Sequence, residues 1–213
     1  MNTQQNNSNP INLAEAALIK QAQKGDQAAF MQLVESYHKR IFNIGLRMLG
    51  NPDDAADMAQ ETLLKIYRRL ADFRGEAAFS TWVYRVAVNT CKDMLRSACR
   101  RKEITFTDFC GEDDDIVFNI PDYRNLPEHQ YEEQLFAQRL RELIDALDPR
   151  FRIVILLREI GGLNYGEIAA AVNISEGTVK SRISRARAAM RKAFVQSGTG
   201  SSTASSDDTK EVS

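Results

Sequence analysis

Prolines and glycines punctuate this chain between its apolar-periodic stretches, and that placement constrains the fold more than any other feature. Only 5 Pro and 11 Gly occur among 213 residues. With Gly45 as the main exception, they leave long windows in which apolar residues recur at spacings of three and four. Such windows bury one stripe of a helix, so the sequence predicts an all-α chain.

The windows can be followed from cap to cap. Asn12 with Glu15 forms a capping pair for a short helix that Gly25 can close. Asp26 caps a longer helix with Phe30, Leu33, Val34, Tyr37, Ile41 and Ile44 on one stripe, ending at Gly50. Pro52 and Asp53 begin a third, striped by Ala56, Ala59, Leu63, Ile66 and Leu70 and broken at Arg74 and Gly75. Ser80 or Thr81 can cap a fourth, with Val83, Val86, Ala87, Thr90 and Met94 inward. From Glu103 to Pro127 periodicity vanishes around the acidic run CGEDDD, which reads as a linker. Helices resume near Glu128, with Tyr131, Leu135, Leu140, Ile144 and Leu147 aligned, and stop at Asp148-Pro149. Pro149 then opens a helix carrying Ile153, Leu156, Leu157 and Ile160. Asn164 with Glu167 caps a very short helix, and a last helix runs from Glu176 to Val195.

The expected organisation is two small helical domains joined by a flexible linker. The segments are a disordered start at 1–12, a helical domain at 13–102, the linker at 103–127, a helix-turn-helix domain at 128–195 and a disordered tail at 196–213.

Charge decides what such domains could bind. The net charge is −1, so a polyanion-binding surface must come from segregation of charge. No run of eighteen apolar residues exists to cross a bilayer, and the first twelve residues lack a basic start and an apolar core, so no secretory signal or membrane insertion is expected. Three cysteines, Cys91, Cys99 and Cys110, are too few for a disulfide framework and suit a cytoplasmic chain.

The sharpest local signal is the helix-turn-helix from Tyr165 to Arg191. A tight turn at Asn173, a residue type that tolerates the left-handed conformation, leads into a helix whose Val179, Ile183, Ala186 and Met190 form the inward stripe. Gly177, Thr178, Lys180, Ser181, Arg182, Ser184, Arg185 and Arg187 are left for a DNA groove. Between Ser175 and Val195 stand six basic residues and one acid, a local charge of +5. Phosphate binding needs that segregation. A second signal lies at Phe79, Trp82, Tyr84, Arg85, Asn89 and Lys92, which interleave aromatic, basic and amide groups. Unstacked bases are held by such a combination, although Trp82 and Tyr84 would equally serve a core. A third patch, Asp53, Asp54, Asp57, Gln60 and Glu61, either complements the helix dipole or offers a docking face to a basic or amide-rich partner helix.

Two blocks carry a family resemblance: DAADMAQETLLKIYRRLADFRGEAAFSTWVYRVAVNTCKDMLR, and, after the linker, LDPRFRIVILLREIGGLNYGEIAAAVNISEGTVKSRISRARAAMRKAF. In this order they resemble the two conserved regions of bacterial extracytoplasmic-function (ECF) sigma factors. The resemblance implies a non-catalytic, dissociable subunit that gives core RNA polymerase its promoter preference, in a stress or envelope response. It implies that Asp57, Gln60 and Glu61 dock on the clamp helices of the largest polymerase subunit, with the flap as a further contact. It implies that Phe79 to Lys92 melts and reads the minus-ten element, Asn89 matching a position that captures a flipped base, and that Gly177 to Arg187 reads the minus-thirty-five element. A free monomer without cofactor or metal is implied, working at the nucleoid and sequestered by an anti-sigma factor at the inner membrane face. The acidic stretch 112–115 would mimic nucleic acid in the polymerase cleft. Departures are mild: Asn164 and Gly166 stand where the family commonly has Ser/Thr and an acid, and Cys91 where a small residue is usual.

Three rival functions explain less. A zinc or redox site from Cys91, Cys99, Cys110, His38 and His129 fails on spacing, because eight helical residues separate the first two cysteines by about 12 Å. A metal-dependent hydrolase built on EDDD lacks a rigid scaffold and a positioned base. A two-component regulator would lack its phosphoacceptor domain and leave Trp82 and Tyr84 unexplained.

Overall fold

The structure is a computed structural model, described here for residues 13–102 and 132–198. The expected segments 1–12, 103–127 and most of the tail, with the capping role of Asn12 and the stripe position Tyr131, lie outside the described residues. Among the described residues every element is helical: α1 (Leu13–Gln23), α2 (Gln27–Leu49), α3 (Pro52–Arg69), a 3₁₀ turn (Leu70–Asp72), α4 (Phe79–Lys102), α5 (Glu132–Asp145), α6 (Pro149–Glu159), α7 (Tyr165–Val172) and α8 (Glu176–Gly198). None of these helices is long and apolar enough to cross a membrane.

Local chemistry sets the boundaries. Asp26 accepts the N–H groups of Ala28 and Ala29 at the start of α2, and Asn51 accepts that of Asp53 at the start of α3. Both satisfy donors that a first helical turn leaves open. Asp148 caps α6 in the same way, with Pro149 at the first helical position. Two boundaries differ from expectation. Helix α4 starts at Phe79, the Trp82 N–H donating to Ala78 O, because the Phe79 ring is anchored against Phe73 and Tyr37 before the expected caps Ser80 and Thr81 are reached. Helix α8 continues to Gly198, three residues beyond Val195.

Helices α2 and α3 form an antiparallel hairpin that approaches closely at Gly45. A Cβ there would stand 3.1 Å from Met58 Sδ and 3.4 Å from Ala55 Cα, which is why a glycine interrupts an otherwise apolar stripe. The inward stripe of α3 passes through Ala55 and Met58, and the expected core residue Ala56 is exposed. Helix α1 is pinned at both ends: Tyr37 Oη donates to Glu15, and Gln23 Nε2 donates to the carbonyls of Leu70 and Phe73 at 3.0 and 2.9 Å.

In the second half, α6 is apolar all round at its middle, where five consecutive residues from Ile153 to Leu157 cover every side of the helix. Phe151, Ile153, Val154, Ile155, Leu156 and Leu157 are all buried, and a helix buried all round must have neighbours all round. Helices α7 and α8 cover one side, and α2 covers another. Helix α4 packs on α7, so one continuous buried cluster runs through both halves of the chain.

Candidate nucleic-acid and polymerase interfaces

Three surfaces emerge from this framework. On α3, Asp57 and Gln60 are exposed and Glu61 is half-buried. Lys65, the first base after the acids, pairs with Glu61 at 3.6 Å and donates to Thr90 Oγ1 on α4 at 3.3 Å. That draws its charge toward α4 and leaves Asp57 and Gln60 as an acid–amide rim. Leu64, 43% exposed, continues the same face, and Tyr67 follows with its ring edge on Phe30 at 5.0 Å. Sequence reasoning passed over Leu64. Its signal was its spacing, four residues after Gln60 and seven after Asp57, on the face that carries the acids.

On α4 two expectations need correction. Phe79 is 3% exposed and Tyr84 has no exposed surface, so neither projects as a stacking platform. Their rings meet Tyr37 edge-on at 5.8 and 6.0 Å and close the core of the first half. Burial pushes the Tyr84 phenol pKa up, and the Arg40 guanidinium opposes that shift. Trp82 is half-buried, tilted against Phe73 and Phe79 at 5.2 and 5.7 Å. Arg85 and Asn89 are exposed and Lys92 is half-buried. At spacings of three, four and three, Trp82, Arg85, Asn89 and Lys92 form one outward stripe.

The third surface is built on a turn. Asn164 and Glu167 cap α7 reciprocally, the Glu167 N–H donating to Asn164 Oδ1 at 2.9 Å and the Asn164 N–H to Glu167 Oε2 at 2.8 Å. Asn173 ends it with φ 64° and ψ 53°, the left-handed conformation expected of it. Arg158 braces the approach to this motif from α6, donating to Leu163 O at 2.8 Å and lying over the Tyr165 ring. Ser175 Oγ then accepts the Thr178 N–H at 3.0 Å and starts α8. Gly177, Lys180, Ser181, Ser184, Arg185 and Arg187 are exposed along the first turns of α8, with Thr178 half-buried. Arg182 is not among them. It is 6% exposed, because it falls three residues after Val179 and four before Ala186 on the inward stripe. Two of the exposed cations carry carboxylate partners: Lys180 pairs with Glu176 at 2.8 Å, and Arg187 with Glu159 at 3.0 Å. The Glu176 carboxylate holds the Lys180 ammonium above its ordinary pKa.

Comparison with known proteins places the chain in a family. Residues 33–101 match Sigma-70 region 2 and residues 137–190 match Sigma-70 region 4. The chain is 38% identical over 179 residues to the ECF RNA polymerase sigma-E factor of Escherichia coli, covering 84% of this chain and 93% of that relative. The chain belongs to the ECF RNA polymerase sigma factors. It is also 36% identical over 179 residues to the RNA polymerase sigma-H factor of Pseudomonas aeruginosa, covering 83% of this chain and 92% of that protein. Among solved structures it is similar to CnrH in complex with the cytosolic domain of CnrY, with TM-score 0.61 and 26% identity, covering 86% of this chain and 98% of that one. The sigma factor RpoE from Bartonella quintana, solved with the anti-sigma factor NepR, shares the fold with TM-score 0.59 and 20% identity, covering 78% of this chain and 96% of that one.

As a sigma factor the chain binds core RNA polymerase and directs initiation at promoters; sigma factors are initiation subunits and are not themselves catalytic. Helices α2 to α4 fall within the region 2 match, and most of α5 to α8 within the region 4 match.

Proposed function

We propose that this sigma factor divides promoter recognition between two helices on opposite halves of the chain. Helix α8 enters the major groove of the minus-thirty-five element through Gly177, Thr178, Lys180, Ser181, Ser184, Arg185 and Arg187. Helix α4 holds the opened minus-ten strand through Trp82, Arg85, Asn89 and Lys92, with Phe79 and Tyr84 supporting that helix from inside. Asp57, Gln60 and Glu61 dock on the clamp helices of core polymerase, with Leu64 as the apolar contact that follows the acid–amide rim. The observation that carries this reading is the exposed basic run at the start of α8, set on a capped helix-turn-helix. Exposed cations there meet phosphates and base edges in the way that groove-reading helices require.

Control by an anti-sigma factor is part of the proposal, supported by the likeness to CnrH, whose structure holds the cytosolic domain of CnrY. The sigma factor then works in the cytoplasm, at the nucleoid. Run-off transcription with purified core polymerase on genomic fragments of the source bacterium tests the reading. Defined transcripts that appear only when this chain is added support it, and an RNA profile identical to that of core polymerase alone rejects it.

A further inference from the structure

A helix that ends leaves its last carbonyls without partners inside the helix. Where α3 gives way to the 3₁₀ turn Leu70–Asp72, the Phe73 N–H returns to Leu70 O at 3.1 Å. A further donor reaches the same turn from far away in the chain. Gln23, the last residue of α1, places Nε2 at 3.0 Å from Leu70 O and 2.9 Å from Phe73 O, residues 47 and 50 positions later. A primary amide has two N–H donors, one for each carbonyl. Its oxygen turned the same way would meet acceptors only, so this pair of carbonyls fixes the orientation of the Gln23 amide. Helix α1 is itself tied to α2 through Tyr37 and Glu15, and Gln23 stands ahead of the region 2 match, which begins at residue 33.

The braced turn leads directly to the strand-holding helix. After Phe73 the chain passes through five exposed residues, Arg74 to Ala78, before α4 begins. The Phe73 ring stands 5.2 Å from the Trp82 ring and 5.3 Å from that of Phe79. Trp82 therefore leans on two aromatic supports of different kinds. Phe79 is buried in the core against Tyr37. Phe73 is half-buried at the start of the exposed stretch, and its main chain is held at the carbonyl by Gln23. A binding side chain keeps its aim only when the groups behind it are locked by packing and by hydrogen bonds.

We propose that Gln23 is a positioning residue for promoter opening. From α1 it holds the Leu70–Phe73 turn in the place from which Phe73 backs Trp82 against the opened minus-ten strand. Its effect runs through Phe73 and needs no contact of its own with DNA. This rests on the assignment of the minus-ten strand to α4.

Holoenzyme made from core polymerase and the full chain tests the brace, at a promoter found by the run-off assay. Gln23→Met and Gln23→Glu keep the side-chain length and remove the donors, whereas Gln23→Lys keeps donors. Permanganate reactivity of the minus-ten thymines is expected to fall at least fivefold with Met or Glu and to return to within twofold of the parent with Lys. Binding to a duplex carrying the minus-thirty-five element alone should stay within twofold throughout. Parental melting with Gln23→Met, or an equal loss with Gln23→Met and Gln23→Lys, overturns the proposal.

A residue that acts through Trp82 has nothing left to act on once that ring is gone. Gln23→Met added to Trp82→Ala is therefore expected to lower melting no further than Trp82→Ala alone, and losses that multiply overturn the proposal. Trp82 is the single tryptophan of the chain, so emission from the free chain reads the same link. Gln23→Met should raise its quenching by acrylamide at least 1.5-fold, with Gln23→Lys at the parental value; quenching unchanged by Gln23→Met overturns the brace. Normal melting with Trp82→Ala alone removes Trp82 from the strand-holding set and takes this inference with it. A loss with Trp82→Ala and none with Gln23→Met overturns the brace alone and leaves the strand assignment standing.

Discussion

Arg152 and Arg47 meet across 105 residues of chain, the guanidinium of the first donating to the main-chain carbonyl of the second at 2.9 Å. Burial lowers the Arg152 pKa, and Asp145 and Asp148 counter that shift, so it remains a charged donor at any ordinary pH. Hydrogen bonds from charged donors are stronger than neutral ones, and the carbonyls that Arg152 serves are only partly reached by water. Arg152→Ala is expected to cost about 2–3 kcal/mol, and to lower the melting temperature by about 5–10 °C. Site-resolved alkylation of Cys91 at pH 8 should speed up severalfold, because its thiol loses cover. Calorimetry and peptide mass spectrometry check both outcomes.

Asp145 behaves in the opposite sense. Burial raises its carboxyl pKa above the ordinary value, with Arg47 and Arg152 opposing. The folded value therefore lies above the unfolded one, and in the window between them the folded form binds more protons. Lowering the pH through the folded value relieves a partly buried charge at this site and removes no stability there. Asp145→Asn is expected to change stability at pH 7 by less than about 1 kcal/mol, and to reduce this contribution to the acid limb of a stability–pH curve. A large loss at pH 7 would show that the ion pair of Asp145 with Arg47, 2.6 Å apart, holds α5 to α2 by itself.

The burial of Phe79 and Tyr84 separates folding from DNA binding on α4. Phe79→Ala or Tyr84→Ala is expected to cost about 3–5 kcal/mol, the usual loss for a large aromatic deleted from a core. Asn89→Ala, at an exposed position, should stay within about 0.5 kcal/mol of the parent, yet reduce strand opening at a promoter. Thermal melts and permanganate footprinting of the holoenzyme check the contrast. Normal footprints with Asn89→Ala would remove Asn89 from the strand-holding set.

The helical stripes were legible because they follow periodicity. Phe30, Leu33, Val34, Tyr37, Ile41 and Ile44 are all buried as the spacing implied. The caps at Asp26 and Asn164 were legible because a short polar side chain before an apolar run has few other uses, whereas Asp148 read as a helix stop and serves as the cap of α6. Exposure within α4 was not, since Phe79, Trp82 and Tyr84 combine an apolar body with helical spacing that suits core and surface alike. Arg182 misled because its charge outweighed its position on the Val179–Ala186 stripe. The packing of α6 against α2 left one trace in the sequence: α6 has apolar residues at six of the seven positions from Phe151 to Leu157, too many for a single buried stripe. The contacts with α2 and α4 join residues about 80–105 positions apart, and no periodicity reports those.

The acid–amide rim, with Leu64 following it on the same face of α3, predicts how polymerase docking fails. Asp57→Arg places like charge against a basic partner helix, and Leu64→Asp removes the apolar contact and buries a charge. Both positions are exposed, so stability should change by no more than about 0.5 kcal/mol. Each variant is expected to weaken association with core polymerase at least tenfold, measured by fluorescence titration and by co-elution in gel filtration. Full co-elution of Leu64→Asp at low concentration would exclude this face from the contact.

Salt dependence separates the cations of α8 by what they touch. Each phosphate neutralised by a Lys or Arg contributes about −0.9 to the slope of log affinity against log salt. Lys180→Ala in the holoenzyme should make the slope at a promoter duplex shallower by about 1, and Arg185→Ala should do so if it too meets a phosphate. Arg182→Ala should leave the slope unchanged and lower the melting temperature, because its side chain lies on the inward face. Glu176 is the counterweight, since its carboxylate must give up Lys180 before a phosphate can take the ammonium. Glu176→Gln is therefore expected to strengthen duplex binding by a few-fold at low salt, with a gain that fades above about 0.3 M salt as screening shortens the reach of both charges. Weaker binding by Glu176→Gln would mean that the carboxylate itself accepts a hydrogen bond from a base, and would move it from restraining Lys180 to reading the promoter.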